Sequence, residues 1–218
     1  MANITDFRTD VRIYVPAAPD LAIDRAARRA LHEFLRRSEV YRSEIVNGPL
    51  DYTLSATSLS LAAAVPSGTQ LVRPRTLRWV IGDGRIIPFK TKAQLDELLP
   101  DWETETAAEP QYWTMDATDT VRLVPIASAT TASAISATVS LSLLDSSTTV
   151  PDWIYYRYRE TILPGIYSLL YAMPQREWSD PRLAANYGAM FEFNIVKASS
   201  DASAEQGRPT RTVKYGGI

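Results

Sequence analysis

No cysteine occurs among the 218 residues, which excludes disulfides, thiolate metal sites and cysteine nucleophiles together. Stability has to come from packing or from assembly. With His32 as the single histidine, a Ser-His-Asp triad is arithmetically possible but a multi-histidine metal centre is not. A net charge of only −2 supplies no global field to recruit nucleic acid or an anionic membrane. No stretch approaches the roughly 18 uninterrupted apolar residues of a membrane span, and the opening MANITDFRTDVRIYVP is too charged to read as a secretion signal, so no membrane association is expected. G-x-G-x-x-G, Walker A, H-E-x-x-H and G-x-S-x-G are all missing, and with them the common nucleotide, zinc-protease and hydrolase signatures. No cofactor is expected, and an enzymatic reading would rest on isolated carboxylates.

Hydrophobic residues make up 45% of the chain and charged ones 22%, values that suit a packed globular core. Residues 1–18 read as an extended lead-in closed by Pro16 and Pro19. From residue 21 to 35 apolar pairs (Ala22/Ile23, Ala26/Ala27, Ala30/Leu31, Phe34/Leu35) alternate with polar pairs. That beat predicts an amphipathic helix, with Asp20 as its N-cap. Between residues 41 and 150 the helical period disappears. TLRWVI, GDG and RIIPF read as a hairpin, because glycines supply the positive φ of a tight turn. Thr91 is placed to cap a short helix over 92–99, a second hairpin is expected at 111–125, and the alternation at 136–144 predicts another strand.

Helical signals return at residue 149. TVPD fits a capping box with proline in the first turn. Ile154, Tyr158, Ile162, Ile166, Leu170 and Met173 mark one face of a long helix that Pro164 should kink. Asp180 and Pro181 read as the N-cap and first residue of a second helix, carrying Leu183, Ala184, Tyr187, Met190, Phe191 and Ile195 on one face; Trp178 is placed to plug the corner between the two. The expected fold class is α+β. Residues 1–42 and 150–198 form a helical bundle, an N-terminal helix plus a C-terminal helical hairpin; 43–149 form an inserted, mostly antiparallel β region; and 199–218 form an extended, flexible C-terminal arm.

Two readings stay open for the arginines of the first helix. Asp24 to Arg28, Arg29 to Glu33 and Glu33 to Arg37 are i, i+4 pairs that would lace a solvated face; alternatively Arg25, Arg28, Arg29 and Arg36 meet an acidic partner. His32 lies on the same polar stripe. Five tyrosines crowd the helix after residue 150, and one stripe cannot bury Tyr155, Tyr156 and Tyr158 together, so some should face a partner. In the arm, Arg208, Arg211, Lys214 and Tyr215 are candidate docking residues. Trp79, Trp102, Tyr112 and Trp113 offer a different reading of the β region, as stacking platforms of a carbohydrate-binding module.

The order of these parts resembles the head-to-tail adaptor proteins of tailed bacteriophages, especially short-tailed ones. The stretches that carry the resemblance are PAAPDLAIDRAARRALHEFLRRSEVYR (16–42), LDELLPDWETETAAEPQYWTMDATDTVRLVPIA (95–127), VPDWIYYRYRETILPGIYSLLYAMPQREWSDPRLAANYGAMFEFNI (150–195) and the closing VKYGGI. The resemblance implies a structural virion protein of the neck: a ring, twelvefold in such adaptors, under the portal protein. It would surround the passing DNA without gripping it and present a surface to the tail or nozzle protein. Assembly would take place in the host cytoplasm.

Overall fold

The structure is a computed structural model, and it describes residues 1–45, 50–62, 65–82 and 84–207, with backbone alone at 205–207. In chain order come β1 (Ala2–Asn3), a 3-10 turn (Ile4–Asp6), α1 (Phe7–Tyr14) and α2 (Asp20–Ser38). Next are β2 (Arg42–Glu44), β3 (Leu50–Tyr52), β4 (Leu59–Ser60), β5 (Thr69–Trp79), β6 (Ile86–Ile87) and α3 (Lys92–Leu98). Then follow β7 (Thr106–Ala107), β8 (Tyr112–Ala117), β9 (Thr120–Val124), β10 (Ile126–Ala127) and β11 (Thr131–Leu143). The last elements are β12 (Thr149–Val150), α4 (Asp152–Tyr171) and α5 (Pro181–Gly207). The fold is α+β, and the chain divides into two compact units, Met1–Val40 with Thr148–Ile218, and Tyr41–Ser147.

In the helical unit the residues taken for an extended lead-in are largely helical. Asn3 and Asp6 form a reciprocal capping box over the 3-10 turn, and α1 follows with Phe7 and Val11 buried at i, i+4 spacing. Two further caps differ from expectation. Pro19 is the N-cap of α2, leaving Asp20 free to accept from Arg8 at 3.1 Å and to pair with Arg12. Thr149 makes no capping box: it lies in β12, antiparallel to β1, while Asp152 takes the N-terminal ammonium at 2.6 Å. α2 buries Ile23, Ala27, Leu31, Phe34 and Leu35, and its alanines let the neighbouring helix approach closely. Phe34 meets Tyr158 of α4 with ring centroids 5.3 Å apart.

α4 also packs along α5. The approach is close: a Cβ on Gly165 would stand 2.9 Å from three atoms of the Phe191 ring. The arm expected from residue 199 is helical through Gly207. Ala198 and Ala202 are buried and Ser203 Oγ donates to the Ser199 carbonyl at 2.9 Å, so small apolar residues at i, i+4 extend the helix where large ones have stopped.

The β unit is built around β11. One edge of β11 pairs antiparallel with β5 from Ile135↔Trp79 to Leu143↔Thr69, and the other pairs with β2 and β3. The β5–β6 hairpin forms as expected (Leu77↔Ile87), with Gly82 and Gly84 at φ 78° and 66°; Asp83 lies outside the described residues. β5 begins seven residues before residue 76, because Pro74 is accommodated at a bulge: Thr138 pairs with Thr76 and Val139 with Pro74, leaving Arg75 as the extra residue. β8 and β9 form the second hairpin, with β4 added along β9. Thr91 and Gln94 form the capping box of α3. Tyr52, Leu77, Trp79, Trp113, Ile135 and Leu141 belong to the buried core of this unit, and Tyr52 donates its hydroxyl to the Pro125 carbonyl.

Candidate assembly surface

The corner between α4 and α5 is closed by backbone geometry. Gln175 adopts a left-handed φ of 57°, the Asp180 amide donates to the Tyr171 carbonyl at 3.0 Å, and Asp180 Oδ1 accepts from the amides of Arg182 and Leu183 at 2.9 and 3.0 Å. Asp180 is thus a working N-cap and Pro181 the first helical residue, where its missing N–H costs nothing. Trp178 is half-buried, with the Arg176 guanidinium 6.0 Å from its ring centre. Pro164 is buried within α4, which continues through it. Its missing amide leaves the Glu160 carbonyl without an i+4 donor, and one residue on, Thr161 O accepts from Asn194 Nδ2 of α5 at 3.4 Å.

The tyrosines divide by helical angle. Tyr155, Tyr158, Tyr167 and Tyr171 are buried, and Tyr156 is 77% exposed. Tyr155 therefore does not face a partner as expected: its ring meets Phe7 edge-on at 5.0 Å. Tyr14, Tyr167 and Tyr187 form a chain of ring contacts at 5.3 and 5.1 Å, and burial drives the Tyr167 hydroxyl well above the ordinary phenol range.

Charge ties α1 to its neighbours. Arg8 Nε donates to Asp24 Oδ1 at 2.8 Å, and this bond, reinforced by the positive charge, holds the Asp24 carboxyl below the ordinary carboxylate range. Arg159 of α4 forks onto the buried Asp10, with Nε to Oδ2 at 2.6 Å. Arg37 reaches Glu192 of α5 at 2.6 Å as well as Glu33 at 3.2 Å; its hydrogen bonds pull the Glu192 carboxyl down. These interhelical pairs went unread because sequence spacing exposes only i, i+4 partners. Arg25, Arg28, Arg29 and Arg36 all lie on the exposed face of α2, and His32 is half-buried there. Arg208, Arg211, Lys214 and Tyr215 lie outside the described residues.

α5 is the anomaly of the helical unit. One side buries Ala184, Phe191, Ile195, Ala198 and Ala202, while Met190, Phe193 and Val196 are 46%, 69% and 64% exposed and Leu183 stands at 36%. Met190 and Leu183 were expected on the core face with Phe191. At about 100° per residue Phe193 falls opposite Ala184 and Ile195, so the helix is apolar on both sides. A helix of that kind is normally buried all round.

Two grooves flank α4. Ala26 of α2 and Leu169, Ala172, Met173 and Pro174 line one of about 530 Å³, with Arg25 and Arg29 at its rim. The other, of about 380 Å³, runs from Asp10 and Tyr14 past Arg159, Glu160 and Tyr167 to Tyr187 and Met190. In the β unit the aromatic platforms are closed off. Trp79, Trp102 and Trp113 are 3%, 2% and 3% exposed; Trp102 is covered by the Arg122 guanidinium at 4.6 Å and donates Nε1 to Asp96 at 2.8 Å. Only Tyr112 of the four is half-exposed, so they offer no stacking surface to a sugar. The exposed apolar residues of this unit include Val80, Ile81, Ile86 and Phe89, gathered at the β5–β6 hairpin.

Among the described residues, no group of three or more His, Asp or Glu side chains could hold a metal ion, and no helix is long and apolar enough to cross a membrane. Helix α5 thus keeps an exposed apolar stripe on its outer side. The sequence profile of the SU10 adaptor protein family matches residues 2–213; the chain belongs to that family, and is a structural phage adaptor. No curated protein matches it.

Proposed function

We propose that this chain is a head-to-tail adaptor of the virion neck, assembling as a ring that joins the portal to the tail or nozzle and surrounds the DNA path. The observation that carries the reading is the outer face of α5, because Met190, Phe193 and Val196 form a stripe that a stable monomer would turn inward. The family match over residues 2–213 supports the placement between head and tail, and twelve copies is the number the resemblance implies. A net charge of −2 suits a channel through which DNA must slide, since strong phosphate binding would arrest it.

Within this reading the helical unit builds the ring, residues 208–218 with Arg208, Arg211, Lys214 and Tyr215 dock on the portal or on a neighbouring copy, and the apolar end of the β5–β6 hairpin meets the tail. The arm is shorter than residues 199–218, because α5 extends to Gly207. Removing 208–218 is expected to leave the described fold intact and to abolish co-purification with the portal protein. Undiminished co-purification would refute the arm's role.

A further inference from the structure

The two grooves that flank α4 lie on opposite sides of it. Glu160, Leu163, Pro164 and Tyr167 line one, and Leu169 lines the other together with Ala172 and Met173 just past the helix end; at about 100° per residue Leu169 lies about 170° from the centre of the first stripe. The groove beside Ala172 is mostly apolar, and its rim carries two exposed arginines, Arg25 and Arg29. The other side carries the opposite charge and adjoins an exposed apolar stripe. Met190 belongs both to that groove and to the exposed stripe that continues to Phe193. Asp10 neutralises Arg159 there, so the exposed Glu160 is the surplus charge.

We infer that the occupant of the groove beside Ala172 is a second copy of this chain, joined head to tail. Met190 and Phe193 of one copy enter the groove formed by Ala26, Leu169, Ala172 and Met173 of the next, while Arg25 and Arg29 close over Glu160. An arginine fork favours a carboxylate contact of this kind. Because the two surfaces differ and lie on opposite flanks, the contact is heterologous: each copy leaves one surface of each kind open, and the series ends only when it closes. The inference rests on the ring reading but adds the residues and polarity of the contact, and it gives Arg25 and Arg29 a carboxylate partner.

The lack of native cysteine makes the contact directly testable. Ala189→Cys, one turn from Phe193 on the same outer face, and Ala172→Cys are prepared as separate full-length chains; both positions are exposed, and unchanged melting confirms that each variant folds. A direct disulfide tolerates only about 4.4–6.8 Å between Cα atoms, so a short thiol-to-thiol crosslinker is used. Mixing the two chains should give a mixed dimer well in excess of either homodimer, and a chain carrying both substitutions should give a ladder of multimers. Glu160→Lys should lower the mixed yield several-fold, and Arg25→Glu with Arg29→Glu on the Ala172→Cys partner should restore it. Dominant 189–189 dimers would mean an isologous contact and overturn the inference, as would no crosslink above that of denatured chains. Negative-stain microscopy of the wild-type chain bound to portal separates the two claims. Rings without the mixed crosslink would overturn this contact and leave the ring reading standing; the mixed crosslink with no ring would do the reverse.

Discussion

The helical unit and the β unit dispose of their largest side chains in opposite ways. In the β unit the three tryptophans of β5, β8 and the segment after α3 are at most 3% exposed, and four of the apolar residues left outside, Val80, Ile81, Ile86 and Phe89, collect at one hairpin while Leu54, Leu98 and Leu144 stand apart. In the helical unit the core is just as closed, with Phe7, Phe34 and Ile162 at 0%, yet α5 carries a second apolar side along its outer length. A hairpin end can meet one partner locally, whereas a stripe on a rigid helix suits a repeated contact between identical copies. On the proposed reading, assembly falls to the helices and the hairpin is left for a different partner.

The largest effect expected from breaking this contrast is on assembly. Met190→Asp with Phe193→Asp should abolish multimers in sedimentation experiments, while changing stability by no more than about 0.5 kcal/mol because both residues are exposed. Ile81→Asp with Ile86→Asp should leave assembly intact and reduce tail joining instead. Core truncations come next. Phe34→Ala should cost about 3–5 kcal/mol and Leu141→Ala about 2–5 kcal/mol, read by chemical denaturation; the former should lower the helical signal first and the latter the β signal first.

Smaller effects sharpen the same comparison. Gly165→Ala would ordinarily favour a helix, but the buried Phe191 ring stands 2.9 Å from the new Cβ, so overpacking should win and cost about 1–3 kcal/mol. The smallest effect is that of pH. Asp24 and Glu192, both in the helical unit, have carboxyls held below their ordinary values of 3.8 and 4.5 by Arg8 and Arg37. A lowered value in the folded chain adds stability that is present above the ordinary value and lost as pH falls through the folded one. Helical melting should therefore decline below about pH 4.5, and Arg37→Ala should flatten part of that slope. Tyr52 of the β unit behaves in the opposite sense: burial pushes its hydroxyl up to about 12 from 10.0, so its contribution is complete below pH 10 and is lost as pH rises toward 12.

Features with a local cause were legible in the sequence. The period of α2, the glycine turn after β5, the Thr91 cap of α3 and the Asp180–Pro181 start of α5 each depend on residues within a few positions of one another. What escaped depends on distant partners. Residues 7–14 read as extended in the sequence, and α1 is held by partners outside it: Arg8 by Asp20 and Asp24, and Asp10 by Arg159. Thr149 pairs with Asn3 across the unit where a local capping box had been expected. The first strand of the hairpin reads only from Thr76 in the sequence, although a bulge carries β5 back through Pro74 to Thr69, and the last turns of α5 were hidden because Ala198 and Ala202 bury little area. At the candidate surface the arginines of α2 were found on the expected face. The pairing of Tyr155 with the core and Tyr156 with solvent, and the outward turn of Met190, follow from angles that a coarse apolar count does not resolve.

The central claim is tested most directly by electron microscopy of the phage's portal ring with and without this chain. The account predicts an added ring-shaped layer of repeated copies on the tail-proximal side of the portal, lost with Met190→Asp and Phe193→Asp. A portal that stays unchanged in the presence of the folded wild-type chain, or that carries scattered single copies, would contradict it.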